Sequence, residues 1–232
     1  WTATLPDLCT RLLDTPARGI GTEAAQALTT HLASWLVTAI GDAARLVRPS
    51  RRKADLDTLA APTLAVLRAA GIADIPIVLE QILTVLREPG RPLDTLLVDV
   101  IEAAAPLPAD ERTTIGIDTI AAHARDTLVA SLAEPPRATD GWSINGLAAA
   151  TCCEDCATLA AFLADPLARK LTWPLAKPRR QHIHHQLDEA ELPVTHTTTR
   201  QGSPHKLVLT KTPELHRRDA EHRRATERSL TT

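Results

Sequence analysis

The chain has 232 residues, 44% hydrophobic and 23% charged, with a formal net charge of −2, which is enough for one sizeable core or two small ones. No run approaches the roughly 18–20 uncharged apolar residues of a membrane span, and the helically spaced Leu, Ile, Val and Ala exclude collagen-like and fully disordered chains. Charge is uneven: residues 1–164 carry 13 Lys and Arg against 20 Asp and Glu, and residues 165–232 carry 13 against 8, so an acidic front precedes a basic, His-rich back.

In chain order, Leu5, Leu8, Leu12 and Leu13 recur at helical spacing before a Pro- and Gly-bearing break at 15–21. A second amphipathic helix is predicted from Thr22 through Ile40. Pro49 with Arg48, Arg51, Arg52 and Lys53 predicts an exposed loop over 45–53. Helices follow over 56–70, 76–87, 93–104 and 110–132, each bounded by a Gly- or Pro-bearing connection. Apolar helix, break and apolar helix recur with a unit of about 35 residues, the range of helical-pair solenoids. Residues 1–133 therefore read as an acidic helical scaffold, either a HEAT-like helical-pair repeat or an ordinary helix bundle.

Residues 134–145, with Pro135, Pro136 and Gly141, read as a linker. Residues 146–212 read as a basic Cys/His module of α+β type. Thr151 and Glu154 fit a capping box opening a helix to about residue 164, and Pro178 suits the first turn of a helix over 179–191. The runs 192–199 and 205–211, separated by 200–204, predict a β-hairpin. Residues 213–232 read as a charged, solvated helical tail. The expected fold is mainly α, with one small α+β module.

The chemistry concentrates in the module. Cys153 and Cys156 form a CxxC, and His182 and His185 lie three apart on a predicted helix, giving C-x2-C-x25-H-x2-H. Zinc takes four tetrahedral N/S ligands, and such pairs present two donors each from one side of an element. Cys152 and His184 are the substitutes. Two other readings stand beside the metal. Cys152, Cys156, Leu159 and Leu163 fall on one helical stripe, as buried thiols would, and thiols in a helix's first turn could form a redox pair. Arg179, Arg180, Arg200, Lys206 and Lys211 come from one helix and one hairpin and could form a phosphate-contacting face for nucleic acid. A solvated surface is the plainer explanation, since Trp173 is the only aromatic nearby to stack a base. His196 and His205 could face each other across the hairpin.

No P-loop, GxGxxG, GxSxG or HExxH is present, and no His is followed two residues later by an acid, so no catalytic constellation is visible. Three of the four cysteines lie within five residues, which is not a secreted disulfide framework, and no secretory signal is visible. A reducing, cytoplasmic setting is expected. The chain starts at Trp1 without an initiator Met and reads as a piece of something longer.

The runs Cys152–Pro166, Trp173-Pro-Leu-Ala-Lys177, Arg180-Gln-His-Ile-His184, Glu191–His196 and Gly202–Lys211 resemble the C-terminal region of large actinobacterial proteins often labelled 2-oxoglutarate/Fe(II) oxygenases. The resemblance covers residues 152–211. It implies an oxygenase domain upstream of Trp1 and assigns no iron or 2-oxoglutarate residue to this chain. The function expected is non-catalytic: partner binding by the helical part and zinc-organised recognition by the module. The alternative is the accessory C-terminal region of an oxygenase-like enzyme.

Overall fold

The computed structural model describes residues 3–14, 20–88, 92–145 and 152–231. Contacts divide the chain into two compact units, residues 1–46 with 50–131, and residues 47–49 with 132–232. The helices are α1 (Leu5–Leu13), α2 (Ile20–Ala44), α3 (Pro49–Asp57), α4 (Ala60–Ile72), α5 (Pro76–Leu86), α6 (Asp94–Ala104), α7 (Ala109–Thr114), α8 (Ile117–Ala133), α9 (Glu154–Ala164), α10 (Lys177–Glu189) and α11 (Glu214–Thr231). The strands are β1 (Lys170–Pro174), β2 (Val194–Thr199) and β3 (Lys206–Lys211). No described helix is long and apolar enough to cross a membrane.

The first unit is organised by α4. Its sequence is small and apolar almost all round, the composition of a helix that must be covered on every side. Val66, Leu67, Ala69 and Ala70 are wholly buried, and α4 packs against α1, α2, α5 and α6. The unit is the helical scaffold expected of it. Arg68 leaves α4 toward Glu111 of α7 at 2.6 Å. No strand occurs among this unit's described residues.

Two elements differ from expectation. The loop predicted over 45–53 turns helical at Pro49, because Pro is tolerated at a first helical position and Arg and Lys are good helix formers. The helix expected over 110–132 is two, α7 and α8. Gly116 divides them with φ +79, and its N–H bonds back to the carbonyl of Thr113 at 3.2 Å.

In the second unit β3 is the central strand, with order β1-β3-β2 and antiparallel pairing on both sides. The predicted hairpin is present, with Thr199 opposite Lys206. Strand β1 went unforeseen; it is five residues long and ends in Pro174, which only an edge strand tolerates. Leu207 and Leu209 of β3 face a core with Leu159, Phe162 and Leu163 of α9, Ile183 and Leu187 of α10, and Leu215 of α11. Residues 134–145 pack onto this core: Ile144 is buried, and the N–H groups of Trp142 and Ile144 reach the carbonyls of Pro166 and Leu163, both at 2.8 Å. The tail is the ordered α11. Its Asp219 pairs with Arg137, and Arg223 donates to the carbonyls of Leu132 and Glu134.

Lys211 closes β3 with its side chain wholly buried. Its Nζ donates to the carbonyls of Leu163 (3.0 Å) and Asp165 (2.7 Å) at the end of α9 and lies 4.7 Å from the centre of the Phe162 ring. A cation at a helix C-terminus meets the negative end of the dipole. Burial still pulls the Lys211 pKa down, with Arg137 adding to that and Asp165 opposing it.

Two outcomes follow. Gly116→Ala should cost about 1–2 kcal/mol in chemical denaturation, the penalty of a left-handed conformation for an L side chain, since a Cβ there would also lie 2.9 Å from Leu83 Cδ1. Because the folded Lys211 holds its proton less tightly than the unfolded one, the unfolded state binds more protons between the depressed pKa and the ordinary 10.5. Stability measured against Lys211→Met should therefore shift in favour of the native lysine as pH rises through that window.

Candidate metal centre

The N-terminus of α9 is where the cysteines gather. Cys153 is the N-cap, in extended conformation, and the helix begins at Glu154. The predicted capping residue, Thr151, lies outside the described residues. Starting the helix one residue after Cys153 leaves Cys152 and Cys153 exposed on the incoming chain, whereas Cys156 sits in the first turn, buried at 1% exposure. The apolar stripe expected from Cys152 onward thus begins only at Cys156, continuing through Leu159 and Leu163.

Helix α10 supplies the fourth donor. Its Ile183 and Leu187 are fixed in the core, which turns His182 toward α9. His182 Nε2 lies 3.1 Å from Cys156 Sγ and 3.4 Å from Cys152 Sγ. Cys152 Sγ lies 3.3 Å from Cys156 Sγ and 3.9 Å from Cys153 Sγ. All four donor atoms fall within 4.8 Å of one another, so the group could hold a metal ion. A tetrahedral ion with metal–sulfur bonds of about 2.3 Å separates its ligand sulfurs by about 3.8 Å, and these spacings are close to that.

The electrostatics agree with a place for a cation. Burial, followed by hydrogen bonds to Cys152 and Cys153, pushes the Cys156 thiol up to about 12. The Cys153 thiol is lowered, foremost by the backbone amide of Cys156 at the helix N-terminus. Three thiolates cannot ionise side by side without a positive charge between them. Behind the cluster, Asp155 is buried and takes Arg179 in a two-pronged ion pair, Nε to Oδ2 at 2.7 Å and Nη2 to Oδ1. That pairing holds the Asp155 carboxyl below its ordinary value and ties α9 to α10 a second time.

The structure therefore brings together Cys153, Cys156 and His182 of the predicted quartet, with the substitute Cys152 in the fourth place. His185 is not in the group; it is exposed, one helical turn or about 4.5 Å further along α10. His184, two residues from His182, points to a different side of the helix. Its Nδ1 meets Nδ1 of His196 at 3.1 Å, and His196 Nε2 meets Asp188 Oδ1 at 3.0 Å. His184 has a lowered pKa, from burial first and the His196 charge second, with Asp188 opposing. His196 stands opposite Leu209 in the hairpin, so it does not face His205.

The five expected phosphate contacts do not form one face. Lys211 is sealed in the core, where no ligand reaches it, and Arg179 is occupied by Asp155. Arg180 donates through Nη1 to the carbonyls of Leu175 and His205, while Arg200 and Lys206 are exposed. The sequence reading missed Asp155, whose role shows only once α10 is beside α9. It ranked Cys152 second, although a Cys-Cys pair followed by Cys three residues later offers three donors from one helix start.

No family model, curated protein or solved structure matches this chain.

The Asp155–Arg179 pair yields a direct comparison. Arg179→Ala strands a buried carboxylate and should lower the thermal midpoint. Arg217→Ala removes an exposed arginine paired along α11 with Glu214 and Glu221, and should leave the midpoint almost unchanged. Equal effects of the two substitutions would contradict the assignment.

Proposed function

We propose that the second unit is a zinc-organised, non-catalytic recognition module, and that the helical unit binds a protein partner. The observation that carries the zinc reading is the mutual approach of Cys152, Cys153 and Cys156 Sγ with His182 Nε2 within 4.8 Å. Three thiolates and one imidazole are a structural zinc set. Soft sulfur donors disfavour magnesium, calcium and manganese, which take oxygen. Four protein donors fill a tetrahedral shell and leave no open position for a substrate or an activated water, which is why the role is structural.

For the helical unit, the support is a groove between α2 and α5, where Val37 and Val85 stand beside Ile77, which is 64% exposed. An exposed branched aliphatic beside a polar-rimmed groove suits a protein partner. For the module, the dispersal of the basic residues favours a compact ligand over a nucleic-acid duplex.

Purified full-length chain should contain about one zinc per molecule, with replacement by cobalt giving tetrahedral d–d bands and thiolate charge-transfer absorption. Cys152→Ser, Cys156→Ser and His182→Ala should each lower zinc content well below one. His185→Ala should leave it at one. Wild-type protein without zinc, or a Cys152→Ser, Cys156→Ser double variant that keeps it, would refute the reading.

A further inference from the structure

Helix α10 has a second polar stripe that the metal does not use. Lys177, Arg180, Gln181 and His184 recur at i, i+3, i+4 and i+7, so they lie on one side of the helix. With Thr198 and Arg200 at the end of β2 and His205 just before β3, they line a cavity of about 450 Å³. None of the four cysteine and histidine donors of the metal centre is in this lining.

The cavity's chemistry has one sign. Lys177, Arg180 and Arg200 carry fixed charge, and Gln181 and Thr198 donate hydrogen bonds. No carboxylate lines it. Several other arginines of this unit are matched: Arg179 by Asp155, Arg137 by Asp219, and Arg217 by Glu214 and Glu221. Among the described residues, Lys177, Arg180 and Arg200 make no ion pair. Arg180 is nevertheless held, since its Nη1 donates to the carbonyls of Leu175 and His205, two neutral acceptors that orient the guanidinium without cancelling its charge. Cations brought together repel one another, and a helix stripe and a strand end that hold three of them without a counter-charge leave a place for an anion.

The histidine pair extends this arrangement. His196 Nε2 meets Asp188 Oδ1 at 3.0 Å, and its Nδ1 meets Nδ1 of His184 at 3.1 Å, so His184 is held from the hairpin side. His184 Nε2 is buried without a hydrogen-bond partner. The charges facing His184 are His196 and Asp188, from β2 and from α10 itself, and Arg180, also from α10.

We propose that this cavity binds a phosphomonoester: a terminal phosphate held by Lys177, Arg180 and Arg200, attached to a small organic group that occupies the remaining volume. A single phosphate fills only part of the space, and a dianion matches three fixed cations better than a carboxylate does. The proposal goes beyond the zinc reading and is independent of it.

The test uses zinc-loaded full-length chain, with inorganic phosphate and glycerol phosphate as probes at constant ionic strength, followed by histidine and amide NMR shifts and by calorimetry. Saturable one-to-one binding is expected, with shifts at His184 and His205. Glycerol phosphate should bind more tightly than phosphate. Lys177→Gln and Arg200→Gln are exposed changes that leave the fold's internal bonds intact. Each should weaken binding about tenfold or more, the loss of one charge-assisted contact. Lys206→Gln removes a nearby exposed cation outside the lining and should leave affinity unchanged. Absence of saturation overturns the proposal. So does binding that Lys206→Gln weakens as much as Arg200→Gln, which is the mark of diffuse surface charge, and so does tighter binding of random duplex than of glycerol phosphate. Zinc content measured on the same samples separates this result from the fate of the metal reading.

Discussion

Three thiols and an imidazole brought within 4.8 Å of one another have little reason to be there for their own sake. Thiols are weak hydrogen-bonding groups, and two of these cysteines are too exposed to contribute to a core. What makes the geometry sensible is a divalent cation at its centre. On that reading the N-terminus of α9 and the first half of α10 are held by metal bonds, and the sheet is laid against the pair. Zinc binding to thiolate-rich peptides releases on the order of 10 kcal/mol, comparable with the whole net stability of an ordinary domain, about 5–15 kcal/mol. The Asp155–Arg179 pair links the same two helices without metal.

Helix α10 shows how one short element serves several environments. Ile183 and Leu187 enter the core, His182 turns to the cysteines, His184 to the hairpin, and Lys177, Arg180 and Gln181 to the cavity. The hundred-degree step of the helix accomplishes this: residues two apart lie on nearly opposite sides, so His182 and His184 cannot share a site. This polarity on every side explains why α10 is not a clean amphipathic helix, although it is firmly packed.

Much of the fold was legible because it depends on local rules. Helical periodicity located most helices of the first unit, though not α3 or the break between α7 and α8, and alternation with a turn located β2 and β3. Features set by long-range packing were not. Strand β1 is too short to declare itself and exists because β3 offers it an edge. Lys211 reads as a surface cation until Leu163 and Asp165 present their carbonyls to it. The Cys/His cluster was legible in most of its donors and not in its full membership. Spacing alone favours an i,i+3 His pair, whereas the extended N-cap at Cys153 lets the preceding residue, Cys152, fold back among the four donors and leaves His185 outside.

The most direct measurement is zinc K-edge X-ray absorption on the purified full-length chain. The account predicts one zinc with three sulfur neighbours at about 2.3 Å and one nitrogen at about 2.0–2.1 Å. A shell of two sulfurs and two nitrogens would restore His185 in place of Cys152, and a shell dominated by oxygen would contradict a thiolate-organised module altogether.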